Sequence, residues 1–219
     1  MADAEIDAAN WESGVRASYD RVAAEYAERI AGELADKPFD RALLDRFADL
    51  VRPLGAVCDV GCGPGHVAAY LHTRGLDVFG VDLAPAMVAQ ARGLNPGIRF
   101  ERGTMLALDL PDGQLGGIVA FYSIVNVPRE SQPAAFAELR RVLHPGGWLL
   151  VAFHLGEEDR HLDEWWDQPV SIDFYFYRTD EIVARLVEAG FVVEERLERD
   201  PYPEVEHQSR RAYLLARSQ

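Results

Sequence analysis

The segment VCDVGCGPGHVAAYL, Val57 to Leu71, constrains the fold more than any other part of the chain. A short apolar run, Val57 to Val60, meets three alternating glycines, Gly61, Gly63 and Gly65, and then a helical pattern carrying Val67 to Leu71. Glycine reaches positive φ without steric cost and lets another group approach the backbone closely. A buried strand that turns on such glycines into a helix is a βα unit whose turn lies at the carboxyl end of the strand, where open α/β sheets bind ligands. A second unit follows in VFGVDLAPAMV, Val78 to Val88, where a strand ends at Asp82 and Pro85 opens a helix bearing Met87, Val88 and Ala91. Asp82 stands about 20 residues past the glycine turn, the spacing of an acid that grips a ribose.

The alternation continues. Ile98 to Phe100, Ile118 to Phe121 and Trp148 to Phe153 read as further strands. Ser131 is placed to cap a helix with Phe136, Leu139, Val142 and Leu143 on one face, and Pro145-Gly146-Gly147 reads as a turn. Thr179 is placed to cap a later helix that Gly190 ends. Phe191 to Arg199 and Arg211 to Ala216 are then two strands joined by a loop alone, which implies antiparallel pairing. These elements predict an α/β chain with a mostly parallel sheet, an antiparallel terminal hairpin and helices on both faces.

Two regions lie outside that pattern. Val15, Tyr19, Val22, Tyr26 and Ile30 recur at helical spacing and predict a helix over roughly 11–33. Pro38 opens a second, with Phe39, Leu43, Leu44, Phe47, Leu50 and Val51 inward and Pro53 and Gly55 ending it. Residues 1–52 are thus expected to form a helical cap on a single domain, 1–219. Leu155 to Arg178 holds Trp165, Trp166, Phe174, Tyr175, Phe176 and Tyr177, and is expected to be an insertion, about 155–178, over the carboxyl edge of the sheet.

Composition narrows the partners. A formal charge of −14 argues against a nucleic-acid backbone, which demands clustered Lys and Arg. No apolar run approaches the roughly 20 residues of a membrane span. The start, MADAEIDAANWES, has no basic region followed by an apolar stretch, so it does not read as a secretory signal. Cys58 and Cys62 share one strand and turn, a poor setting for a disulfide, and are read as reduced thiols of a cytoplasmic protein. No metal site is expected.

The glycine turn discriminates between ligands. A dinucleotide-binding turn reads G-x-G-x-x-G, and here the third position falls on His66. The pattern is D-x-G-x-G-x-G instead. Asp59 would repel a pyrophosphate and suit an ammonium, which favours S-adenosylmethionine (SAM), with its amino acid and sulfonium, over NAD. With FERGTMLALDLP, GGIVAFYSIVNVP and ELRRVLHPGGWLLVAF added, the chain resembles the class I SAM-dependent methyltransferases that act on small molecules, over roughly Tyr19 to Phe153. The resemblance implies a Rossmann-like, seven-stranded sheet with the last strand antiparallel. It implies that Asp59, Gly61 and Gly63 line the methionine part of SAM, and that Asp82 holds the ribose. Leu83, Thr104 and Met105 would lie beside the adenine, and Cys62 and Met87 are further cofactor-binding candidates. Phe121 and Tyr122 would edge the cofactor, and Tyr19 and Tyr26 would cover it. Relatives often carry an acid where Thr104 stands, and many carry His where Asn126 stands.

The implied reaction is methyl transfer by direct displacement to O, N or C of a small-molecule acceptor, in a monomer or homodimer. His154, just past the fifth strand, and Tyr19 are the catalytic candidates. His66 is expected to cap or orient, His207 to lie within reach of the pocket, and His161 and His72 to be surface residues. The competing readings are a non-catalytic SAM-binding protein and another SAM- or nucleotide-using enzyme of the same fold, such as an aminopropyl transferase or an NAD-dependent reductase.

Overall fold

The structure is a computed structural model that describes residues 2–219, with side chains described from Trp11 onward. Its centre is a seven-stranded sheet in the order β3-β2-β1-β4-β5-β9-β8. These strands are β1 (Val57–Val60), β2 (Val78–Asp82), β3 (Arg99–Arg102), β4 (Leu115–Phe121), β5 (Leu143–His154), β8 (Phe191–Arg199) and β9 (Arg211–Ser218). The first five run parallel, and β9 lies antiparallel between β5 and β8. The sheet is therefore Rossmann-like and mostly parallel, closed by the antiparallel hairpin that the loop-only connection requires.

Helices cover both faces: α1 (Ala2–Ile30), α2 (Pro38–Val51), α3 (His66–Thr73), α4 (Pro85–Leu94), α5 (Gln132–Val142) and α6 (Thr179–Glu188). One core joins β4 and β5 to α5 and α6 through Ile118, Phe136, Leu139, Val151 and Ile182. The other joins α2 and α3 to the opposite face through Leu44, Phe47, Val51, Leu71 and Leu150. No helix among the described residues is long and apolar enough to cross a membrane. Cys58 and Cys62 are free, buried thiols.

Several local expectations are corrected. Helix α1 stops at Ile30, and Glu33–Asp36 forms a separate 3-10 turn. β5 begins at Leu143, so Pro145-Gly146-Gly147 lies inside an irregular strand rather than in a free turn. Ser131 occupies its cap position without a side-chain bond to the helix. Thr179 is the first residue of α6 and not its cap, and its hydroxyl donates to Glu198 across to β8.

The stretch from Leu155 to Arg178 contains a separate hairpin, β6 (Arg160–Trp165) paired with β7 (Gln168–Phe174). Trp166 and Asp167 make the turn, both at positive φ, 52° and 60°. Asn-Gly and Asp-Gly are the usual residues of such a turn, so the sequence carried no hairpin signal here. α1 packs against this hairpin through Val22, Val170 and Ile172, with Tyr19, Tyr26, Trp165 and Phe174 around them. Burial of each aliphatic side chain contributes roughly 1.5–3 kcal/mol, which holds helix and hairpin together across the carboxyl edge of the sheet. Asp20 adds a polar tie, accepting the Ala86 N–H in the first turn of α4 at 2.8 Å.

Candidate functional site

The glycine turn is knitted to the second strand. Gly61 and Cys62 donate to the Val81 carbonyl at 2.8 and 3.1 Å, and Gly65 donates to Cys62 at 2.9 Å. Gly61 and Gly63 hold φ of 70° and 52°. A Cβ on Gly61 would lie 2.3 Å from the Ser123 Cβ, so only glycine fits between β1 and the end of β4.

Two carboxylates flank the turn and do different work. Asp82 receives the Gly63 N–H at 2.8 Å on one oxygen and the Ala84 N–H at 2.9 Å on the other. Burial raises its pKa to about 6, against the pull of those N–H donors. Asp59 is 1% exposed and receives the Ala68 N–H at 3.0 Å. Burial raises its pKa to about 7, opposed by the charge of His66 and by Ala68. Asp59 pins the start of α3 behind the turn and does not reach the cavity in front of it.

In front of the turn lies an open cavity. It is lined by Gly61, Cys62, Gly63, Asp82, Leu83, Met87, Thr104, Met105, Phe121 and Tyr122, and from α1 by Tyr19 and Tyr26. The sequence missed Trp11 and Glu12, which reach the same cavity from within α1, Glu12 accepting from the Thr104 hydroxyl. Nothing in the local pattern around Trp11 marks it as a ligand group. Three buried polar atoms on this cavity have no partner: Trp11 Nε1, Ser123 Oγ and His66 Nδ1. Buried polar atoms are rarely left so. A bound SAM fits this set: Asp82 would take its ribose hydroxyls, the apolar Leu83, Met87 and Met105 its adenine, and the glycine turn its amino-acid end.

A second, larger cavity opens beyond the first. Tyr19, Tyr26 and Tyr122 line both. Tyr122 ends β4 at φ 56°, an uncommon conformation for a tyrosine, with its N–H fixed on the Ala152 carbonyl. Asn126 sets the Tyr19 hydroxyl. Its amide nitrogen donates to the Asp173 carbonyl at 2.8 Å, which leaves its oxygen to accept from Tyr19 at 2.8 Å. Trp165, Trp166, Phe174 and Phe176 form the apolar wall of this cavity. His154 and His207 both line it, their rings 5.9 Å apart.

Charged side chains gather at its inner end, and none was foreseen in the sequence. Glu206, from the β8–β9 loop, is held by Arg199 at 2.7 and 2.8 Å and by the Tyr202 N–H at 2.8 Å. Its pKa is lowered to about 2, since the Arg199 bonds and the Tyr202 N–H outweigh the effect of burial. Glu33 is likewise lowered to about 2: burial would raise it, but His66 at 3.2 Å and Lys37 at 2.6 Å prevail. Arg199 also pairs with Asp40, which accepts the Tyr213 hydroxyl. His66 lies on the first turn of α3 as its opening residue, orienting Glu33 rather than capping. His161 sits on the outer face of the hairpin, bonded to Asp173.

Residues 57–147 match the model of a family described as "Methyltransferase domain". Malonyl-[acyl-carrier protein] O-methyltransferase of Serratia marcescens is 30% identical over 154 residues, covering 69% of this chain and 54% of that protein. Demethylmenaquinone methyltransferase of Beutenbergia cavernae is 32% identical, covering 53% of this chain and 47% of that protein. The chain spans about half the length of these curated relatives. A SAM-dependent methyltransferase of Methanosarcina mazei shares the fold with a TM-score of 0.68 at 15% identity, over 74% of this chain and 92% of the other.

Proposed function

We propose that residues 57–147, which match the family described as "Methyltransferase domain", work as a class I SAM-dependent methyltransferase domain, and that the whole chain methylates a small-molecule acceptor seated in the second cavity. The observation that supports this reading is the junction of the two cavities at Tyr19, Tyr26 and Tyr122. One side presents the Asp82 carboxylate and the glycine turn, the other an aromatic cleft large enough for a second molecule.

When bound, SAM supplies an electrophilic methyl group on sulfur and leaves as S-adenosylhomocysteine. The chain's own part is alignment and exclusion of water, and alignment of two reactants is worth up to roughly 7–11 kcal/mol of a barrier. Gly61, Cys62 and Gly63 hold the amino-acid end, and Asp82 the ribose. Leu83, Met87, Thr104, Met105 and Phe121 enclose the adenine and the sulfur side. Tyr19, fixed by Asn126, and Tyr26 close the boundary so that the acceptor atom meets the cofactor side through one opening. The role proposed for Tyr19 is positioning by its hydroxyl.

His154 is proposed to contact the acceptor as a hydrogen-bond donor. Burial, then Arg211, His207 and Lys37, lower its pKa to about 3. An imidazole of that acidity is neutral at working pH and a weak proton acceptor. The chain of hydrogen bonds behind it, described below, also places its proton on the free nitrogen. The single domain 1–219 is read as a catalytic sheet with an α1–hairpin lid, in a soluble, cytoplasmic monomer or homodimer that acts on no nucleic acid.

Calorimetry tests the cofactor assignment. S-adenosylhomocysteine should bind with micromolar affinity and NAD should not bind. Asp82→Ala should weaken the first at least tenfold, and an unchanged affinity removes the ribose assignment. Turnover with SAM against a panel of small acceptors, read as a mass gain of one methyl group, separates an enzyme from a SAM-binding protein without catalysis.

A further inference from the structure

We propose that the acceptor carries a carboxylate, which docks on Arg160, Arg211 and His154 at the polar end of the second cavity while its apolar body lies against the aromatic wall. This rests on the methyl-transfer reading for the role of the molecule; the charge preference of the cavity stands on the following geometry.

The chain as a whole is strongly acidic, with formal charge −14, yet this end of the cavity is not. Lys37, Arg160 and Arg211 line it together with Glu33 and Glu206. Both carboxylates are already engaged, Glu206 by Arg199 and the Tyr202 N–H, and Glu33 by Lys37 and His66. Arg211 is 2% exposed. Its Nη1 donates to the His207 and Ser209 carbonyls at 3.0 and 2.6 Å, but its Nε has no hydrogen-bond partner. Glu206 approaches that Nε to 3.2 Å without hydrogen-bond geometry. Arg211 thus puts a buried positive charge on the cavity wall, one that a carboxylate of the ligand can pair with.

Arg160 adds a direction. Its Nη1 lies 2.7 Å from His207 Nε2. A guanidinium only donates, so that nitrogen accepts and the His207 proton sits on Nδ1. His207 Nδ1 then donates to Ser209 Oγ at 3.2 Å. Ser209 Oγ lies 2.9 Å from His154 Nδ1. Every hydrogen in the relay is used when the serine hydroxyl donates to that nitrogen, which puts the His154 proton on Nε2. The relay thus starts on a cation and ends on an N–H donor, with both histidines and Arg160 on the same cavity. The lowered pKa of His207, from burial and then Arg160 and Arg211, agrees with a positive potential there.

A cationic ligand would have to find its place on the ring faces. Two of the rings on this cavity already carry a cation of the chain: Lys37 and Arg211 lie 5.9 and 5.8 Å from the Tyr122 ring, and Arg29 lies 4.9 Å from Trp166. The remaining rings, Tyr19, Tyr26, Trp165, Phe174 and Phe176, form an apolar wall beside the cations, which a cationic ligand would have to approach against their charge.

The test uses the full chain saturated with S-adenosylhomocysteine and three probes of one shape: 2-naphthoate, 2-naphthamide and 2-(aminomethyl)naphthalene. Binding is read by calorimetry and by quenching of tryptophan fluorescence. Naphthoate should bind at least tenfold tighter than the amide, and the amine more weakly than the amide. Arg160→Gln should cost naphthoate at least fivefold and leave the amide unchanged. Arg160 is exposed, so this variant keeps the fold even if a variant of the buried Arg211 does not. Naphthoate binding no better than the amide, including no binding by either, overturns the proposal, as does an Arg160→Gln effect equal on both. S-adenosylhomocysteine titrated into the same sample reports on the cofactor reading separately: its failure to bind removes the methyl-transfer role, while the ratio of acid to amide still decides the charge preference.

Discussion

Gly61→Ala puts the glycine turn to a quantitative test. The backbone at this position has φ 70°, and a Cβ would lie 2.3 Å from the Cβ of Ser123. Left-handed φ costs a non-glycine residue about 1–2 kcal/mol. Forcing a methyl group into a closed site costs about 1–3 kcal/mol more. Together the substitution should destabilise the chain by about 2–5 kcal/mol, and should weaken S-adenosylhomocysteine at least tenfold because the turn must move away from Asp82. Gly63→Ala is the control. Its φ is 52°, but its Cβ would meet only the Tyr26 ring edge at 3.7 Å, an ordinary contact. It should therefore cost only the conformational part, about 1–2 kcal/mol. Combining Gly61→Ala with Ser123→Gly removes the atom that is struck, and should recover the packing part and leave the φ part. Urea unfolding of the four proteins, with calorimetry for the ligand, measures both quantities. Gly61→Ala within 0.5 kcal/mol of the wild type, or equal to Gly63→Ala, would refute the claim that close packing against β4 demands glycine there.

Two further outcomes follow from buried carboxylates. Asp82 is raised to about 6, so its neutral form is favoured in the folded chain, and the penalty for ionising it grows above pH 4 and levels off beyond pH 6. Asp82→Asn should remove this pH dependence of stability between pH 4 and 8, at the cost of one of the two N–H bonds from Gly63 and Ala84, while the wild type should lose S-adenosylhomocysteine affinity by up to tenfold per pH unit below 6; unfolding at pH 4 and 8 and calorimetry across pH 5–8 check both. Glu206 is lowered to about 2, so its contribution is complete above pH 4.5 and fades as pH falls toward 2. Glu206→Gln leaves Arg211 buried without its carboxylate and Arg199 with Asp40 alone, and should cost about 3–5 kcal/mol at pH 7, with a smaller difference from wild type at pH 3 in the same unfolding assay.

The sheet and the first cavity were legible because their signals are local. Gly61 and Gly63 announce positive φ by residue type, Asp82 follows at a fixed distance along a βα unit, and period-two and period-3.6 runs mark the strands and helices between them. Asp59 shows where that legibility stops. Its place in the motif suggested a ligand contact, and only the folded chain shows that its carboxylate also accepts the Ala68 N–H in the first turn of α3. Thr104 illustrates a second limit, because Glu12, the residue that bonds it, comes from a helix 92 positions earlier.

The amino-acid order by itself determined the class of fold, the strand that carries the glycine turn and the acid opposite it, since each depends on neighbours a few residues apart. Only the tertiary structure decided the acceptor side. Lys37 from α2's approach, Arg160 from β6, Glu206 from a loop and Arg211 from β9 lie far apart along the chain and meet because β9 inserts between β5 and β8 and the β6–β7 hairpin folds back onto α1. Charges dispersed in sequence acquire a common potential only when burial removes the water that would otherwise screen them from one another.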